Sequence, residues 1–206
     1  MNNPTLTQLR LKPKSIPSKY KLPDLATRQQ IVSWYNSLLD LDDKRFWLAA
    51  TFVLLFALRR KDIASLRWRN LVCENGTPHL SFESSHYSLS HFSWPIHDDT
   101  WHTFCRIIDM HSPKPSDDDP IVPYALEEVL PSLNQMLQDS LIPFSFCPDA
   151  LSELRNLRIY HEYHRNFRPE HAALFAGESI NYILQHFASE SIDTINIAPE
   201  KAEDII

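Results

Sequence analysis

The chain has 206 residues, a formal net charge of −6, 43% hydrophobic and 11% aromatic residues, a balance that suits one globular domain with a buried core and argues against disorder. Its two glycines, Gly76 and Gly177, are too few for a P-loop or a dinucleotide-binding loop, so nucleotide chemistry of those kinds is excluded. Cys73, Cys105 and Cys147 lie far apart, which argues against a disulfide framework or a zinc site and fits reduced thiols in a cytoplasmic, intracellular protein.

Charge is unevenly spread. Residues 1–70 carry a net +8 and residues 71–206 a net −14, so a basic first third could meet phosphate while the remainder repels it. Residues 1–23, with Pro4, Pro13, Pro17 and Pro23 among Lys and Ser, read as a basic, extended arm with no secretory signal. From Ala26 to Leu39 apolar residues recur at helical spacing, with Thr27 as N-cap. A second, more buried helix is expected from Asp42 or Asp43 through Phe46, Phe52, Leu55 and Leu58; its apolar run is too short for a membrane span. A short helix over Lys61–Arg67 turns Ile63 and Leu66 inward.

The period then changes. Leu71–Cys73, the turn Glu74-Asn75-Gly76-Thr77 and the alternation through Phe82 predict a hairpin. A third strand from Phe92 to Ile96 holds Pro95, which suits a sheet edge. Helical patterns resume from Asp99 or Thr100 through Ile108, over Tyr124–Leu137 with an interruption at Pro131, over Leu151–His164, over Pro169–Phe175 and over Ser179–Phe187, with a polar loop at 112–120 and Gly177 as a C-cap. Residues 199–206 form an acidic tail. The fold class is mainly α with a small antiparallel β-sheet. His161 and His164 could share a helix face, but the ten histidines are scattered, so neither a metal nor a cofactor is expected.

The run Leu58-Arg59-Arg60-Lys61-Asp62-Ile63-Ala64-Ser65-Leu66-Arg67-Trp68 resembles the first signature of the tyrosine recombinases (phage integrases), with Ala57 where a Gly is usual. The resemblance implies a recombinase catalytic-type domain over residues 24–198 and makes Arg59 the first phosphate-binding arginine. A planar guanidinium suits that task. Read from the residues alone, Arg59 to Lys61 are also the solvated end of an apolar helix. The family follows this motif with a three-stranded sheet, where the Asn75-Gly76 turn falls. It places a lysine in the next turn, where this chain has Ser84, Ser85, His86 and Tyr87.

Arg155-Asn156-Leu157-Arg158 resembles the second signature, His, two residues, Arg. Arg158 then becomes the second phosphate-binding arginine, with Arg155 at the histidine position; the plain alternative is an exposed Arg on an amphipathic helix. The run from Phe187 to Ala198 resembles the third signature in spacing, with Ile192 and Thr194 matching. Ser189 stands at its histidine position and Ala198 at the position of the nucleophilic tyrosine; no tyrosine follows Tyr182. The resemblance leaves only the basic arm ahead of the catalytic-type region, so the family's N-terminal DNA-clamping domain is not expected.

These observations imply a degenerate, catalytically inactive recombinase-like protein that binds DNA through Arg59, Arg158, Arg155 and the arm, or binds a partner recombinase. It would then be a mobile-element pseudoenzyme, nucleoid-associated where it meets DNA. Two alternatives are a protein–protein module, self-associating or partner-binding without DNA, and an active recombinase with a displaced nucleophile among Tyr160, Tyr163 and Tyr182.

Overall fold

A computed structural model describes Tyr20 and residues 23–83, 92–140, 148–166 and 168–188. The expectations for the arm up to Lys19, for Ser84 to Tyr87, for Ser189, Ile192, Thr194 and Ala198, and for the tail lie outside these residues. Eight α-helices, α1 (Leu25–Ser37), α2 (Arg45–Leu54), α3 (Arg60–Ser65), α4 (Asp98–Met110), α5 (Leu130–Asp139), α6 (Ala150–Asn166), α7 (Pro169–Ala176) and α8 (Ile180–Phe187), accompany one sheet of β1 (Leu71–Glu74), β2 (Thr77–Phe82) and β3 (Phe92–Pro95) among the described residues. The mainly helical architecture with a small inserted sheet agrees with the sequence.

The core is organised by α2, whose residues Trp47 to Leu54 are all buried. Their apolar surface meets α5 and α6, and Phe52 stacks on Phe104 of α4 at 5.8 Å between ring centres. Burying one such side chain contributes about 1.5–3 kcal/mol. The hydroxyl of Thr51 is satisfied inside this core, donating to the Trp47 carbonyl at 2.8 Å and meeting the Tyr35 hydroxyl at 2.8 Å. A second apolar cluster joins Ala57, Ile159, Ala172, Phe175, Ile183 and Phe187, so α6 is shared between two packing regions. Tyr20 is held against this second cluster, its ring 5.5 Å from Phe187 and 5.6 Å from Tyr160, and its amide donates to the His186 carbonyl at 3.0 Å.

The hairpin forms as expected. Glu74 pairs with Thr77 across a two-residue turn, and both turn residues have positive φ, 51° at Asn75 and 81° at Gly76. That is the turn whose twist matches paired strands, and Asn-Gly is the dipeptide that reaches it with least strain. The strand order β1-β2-β3 makes β3 an edge, where the missing amide of Pro95 removes no ladder bond.

Helix limits differ from the sequence expectation in several places, among them the short third helix, which runs Arg60–Ser65 and not Lys61–Arg67 because the chain is extended from Leu66. Asp24, not Thr27, caps α1, its carboxylate accepting from the Thr27 amide at 2.7 Å. The second helix starts at Arg45 and stops at Leu54, three residues before Ala57 takes a left-handed conformation (φ 51°), so Leu55 and Leu58 are not helical. The helix after β3 begins at Asp98, with His97 as its cap. Pro131 does not interrupt a helix: Tyr124 is left-handed, a π-type turn covers Ala125–Val129, and α5 continues from Leu130 through Pro131 without a break.

Candidate functional site

The site lies where the chain leaves α2 and where α7 ends, with α6 crossing both. A helix terminus leaves carbonyls without intrahelical partners, and cations are favoured there. Three arginines supply that need. Arg155 of α6 donates from Nε to the Ala57 carbonyl at 2.7 Å and from Nη2 to the Ala176 carbonyl at 2.7 Å. Arg158, one helical turn on, donates from Nε to the Leu55 carbonyl at 2.8 Å. Arg59, just ahead of α3, donates from Nη2 to the Gly177 carbonyl at 2.8 Å. The conformation of Ala57 turns the chain so that Arg59 faces α7. Gly177, left-handed at φ 61°, ends α7 and turns the chain so that Glu178 faces Arg59 and Arg155.

Glu178 joins two of these cations. Its Oε2 lies 3.0 Å from Arg59 Nη2 and its Oε1 lies 3.0 Å from Arg155 Nη1. The Arg59 side chain is 33% exposed, that of Arg155 13% and that of Glu178 17%, so the open side of the group is at Arg59. Tyr182, on the first turns of α8, feels the same charges. Burial raises its phenol above the ordinary value, Glu178 adds to the rise, and Arg155 and Arg59 oppose it.

Arg158 is placed differently. The residue is 6% exposed, its Nη1 lies 2.9 Å from Glu162 Oε2, and its guanidinium lies 4.4 Å from the centre of the Phe175 ring. This overturns the alternative of an ordinary exposed arginine on an amphipathic helix. Burial pushes its pKa down, and the Glu162 carboxylate opposes that shift. Glu162 Oε1 also lies 3.1 Å from Nδ1 of the half-exposed His171. Arg158, Glu162, His171, Trp94 and Phe175 line a cleft of about 550 Å³ between β3 and α7.

Of the residues named from the sequence, the structure thus brings Arg59 and Arg155 together on one anion and gives Arg158 an acidic partner of its own. Glu178 and Glu162 were not singled out in the sequence. Glu162 had a readable signal, since it stands four residues after Arg158 on one expected helix. Glu178 had none beyond its place after the capping glycine. His161 and His164 do lie on α6, but burial holds His161 down to about 3 and also lowers His164. Among the described residues no group of three or more His, Cys, Asp or Glu side chains is arranged to hold a metal, and no helix is long and apolar enough to cross a membrane.

The fold is similar to that of a solved transposon integrase. The structure of the Tn1549 transposon integrase (residues 82–397 of that protein), solved in complex with circular intermediate DNA, matches with a TM-score of 0.51 and 12% identity. The match covers 84% of this chain and 64% of that one, so this chain spans less than two thirds of that structure. At this identity the likeness establishes the fold alone. No family model matches the chain, and no curated protein matches it.

Proposed function

We propose that this chain is a recombinase-like protein that acts by binding rather than by cleaving, with duplex DNA as its ligand. The observation that carries this reading is the convergence of Arg59 and Arg155 on a single anion, within a fold similar to that of an integrase solved with DNA. Two guanidinium forks aimed at one point suit a phosphodiester, whose paired oxygens they meet as they meet a carboxylate. In this reading Arg158 supports the site from behind, joining α6 to the end of α2, and Arg59 is the contact that reaches solvent. The acidic balance beyond residue 70 keeps the affinity modest.

The absence of cleavage rests on the family positions. Ala198 stands where the resemblance places the nucleophile and Ser189 where it places a histidine. Without a phenol and its accompanying acid and base, most of the rate of a phosphotyrosyl reaction is lost. The test is duplex binding at low salt together with incubation on a nicked substrate: retained binding without any covalent adduct supports the reading, and no binding refutes it.

One observation favours a second reading. Tyr182 lies close enough to Arg155 and Arg59 to feel their charge, so a displaced nucleophile has a candidate. The upward shift of its phenol weighs against this, because the phenolate is the attacking form. A covalent protein–DNA adduct lost in Tyr182→Phe would establish the second reading in place of the first.

A further inference from the structure

We infer that Glu178 is a built-in competitor for the anion that Arg59 and Arg155 would otherwise hold, so that this site is latched by its own chain and opens when the Glu178 side chain swings away. The inference rests on the reading that these arginines meet phosphate. It adds that they do so against an internal occupant.

The geometry is specific. Each carboxylate oxygen of Glu178 faces a different arginine at the same distance, 3.0 Å, so one anion bridges two forks. A phosphate group offers two oxygens in a similar arrangement and forms the same kind of charge-assisted bond. Both ligands therefore compete for the same N–H groups, Arg59 Nη2 and Arg155 Nη1. The other donors of Arg155, Nε and Nη2, are turned to the Ala57 and Ala176 carbonyls, and Arg59 Nη2 meets the Gly177 carbonyl as well as Glu178, contacts that hold the cations in place whichever anion is present.

Position allows the exchange. Glu178 lies in the turn between α7 and α8, after the left-handed Gly177 and before Ser179, whose hydroxyl accepts from the Tyr182 amide at 3.1 Å. The Glu178 amide donates to the Ala173 carbonyl at 2.9 Å. The backbone is thus anchored on both sides, and rotation of the side chain alone can release the arginines. Arg59, the most exposed member of the group, is where an incoming anion arrives. An occupant tethered to the site competes at high effective concentration, and the apparent affinity for an outside ligand falls by the fraction of time the site is open.

The experiment measures binding of a fluorescein-labelled DNA duplex to the intact chain and to Glu178→Gln, Arg59→Ala and the double variant, with circular dichroism as a folding check. Glu178→Gln keeps the shape but withdraws the charge, and it should tighten binding by about tenfold. That gain should vanish in the double variant. Glu178→Asp, whose shorter carboxylate cannot span both arginines, should give part of the gain and serves as the probe if the Gln variant fails to fold. If Arg59→Ala weakens binding while both Glu178 variants bind as the intact chain does, the competitor idea is overturned and the phosphate reading stands. If none of the variants changes binding to DNA, both are overturned.

Discussion

Arg155 and Glu178 form an ion pair at 3.0 Å in which neither side chain is more than 17% exposed. The same guanidinium holds two backbone carbonyls, those of Ala57 and Ala176. It therefore ties the exit of α2 to the end of α7. Arg155→Ala should lower the unfolding free energy by about 2–4 kcal/mol, because two carbonyls and part of a carboxylate lose their donor in a nearly dry place. Arg155→Lys should recover less than half of that, since one ammonium cannot reproduce a planar fork. Urea unfolding of the three proteins checks both statements; an Ala variant as stable as the parent would show that the pairing adds nothing.

The left-handed backbone at Ala57 gives a second expectation. Its φ of 51° strains any residue with a Cβ, and the resemblance to the recombinases has a glycine at this place. Ala57→Gly should stabilise the fold by about 0.5–1 kcal/mol, after the entropy that glycine loses on folding. A thermal melt reads the change. A lower melting temperature would mean that packing of the buried methyl group outweighs the strain.

Much of the architecture was legible in the sequence because local chemistry determined it. Asn75-Gly76 specified its turn, Pro95 marked an edge, and Gly177 marked the end of a helix. The limits of α2 were not legible. The apolar run continues through Leu58, and only the tertiary demand to turn the chain at Ala57 ends the helix at Leu54. Arg59 and Arg155 were both named from the sequence, yet their common partner was not. Glu178 is one of 26 acidic residues, and its role depends on a contact from the turn after α7 to the residue ahead of α3 and to α6 that no local pattern encodes.

The buried pair on α6 should behave as a unit. Glu162→Ala leaves the Arg158 cation in the interior and should cost about 3–5 kcal/mol. Replacing both, as Arg158→Met with Glu162→Leu, should cost clearly less than the sum of the single changes. A double-mutant cycle measured by chemical unfolding gives the coupling. Additive single effects would show that the 2.9 Å contact is not an energetic pair.

His161 predicts a pH dependence. Burial holds its pKa down to about 3, against 6.5 in the unfolded chain. The unfolded state therefore binds a proton that the native state refuses. Stability from this group is fully present above about 6.5 and is lost as pH falls toward 3, with a slope of up to about 1.4 kcal/mol per pH unit. His161→Leu should flatten the profile between pH 6.5 and 4.5 relative to the parent. Parallel profiles for the two proteins would contradict the assignment.

The central claim is that Arg59 reaches phosphate. Its most direct test is duplex DNA binding across a salt series, comparing the intact chain with Arg59→Ala. Arg59 is the arginine to change because it is the most exposed of the three, so its loss least disturbs the fold. The account predicts that affinity falls linearly with salt on logarithmic axes, and that Arg59→Ala binds more weakly with a slope shallower by about one phosphate contact. Equal affinity and slope in the two proteins, or no binding by either at low salt, would contradict it.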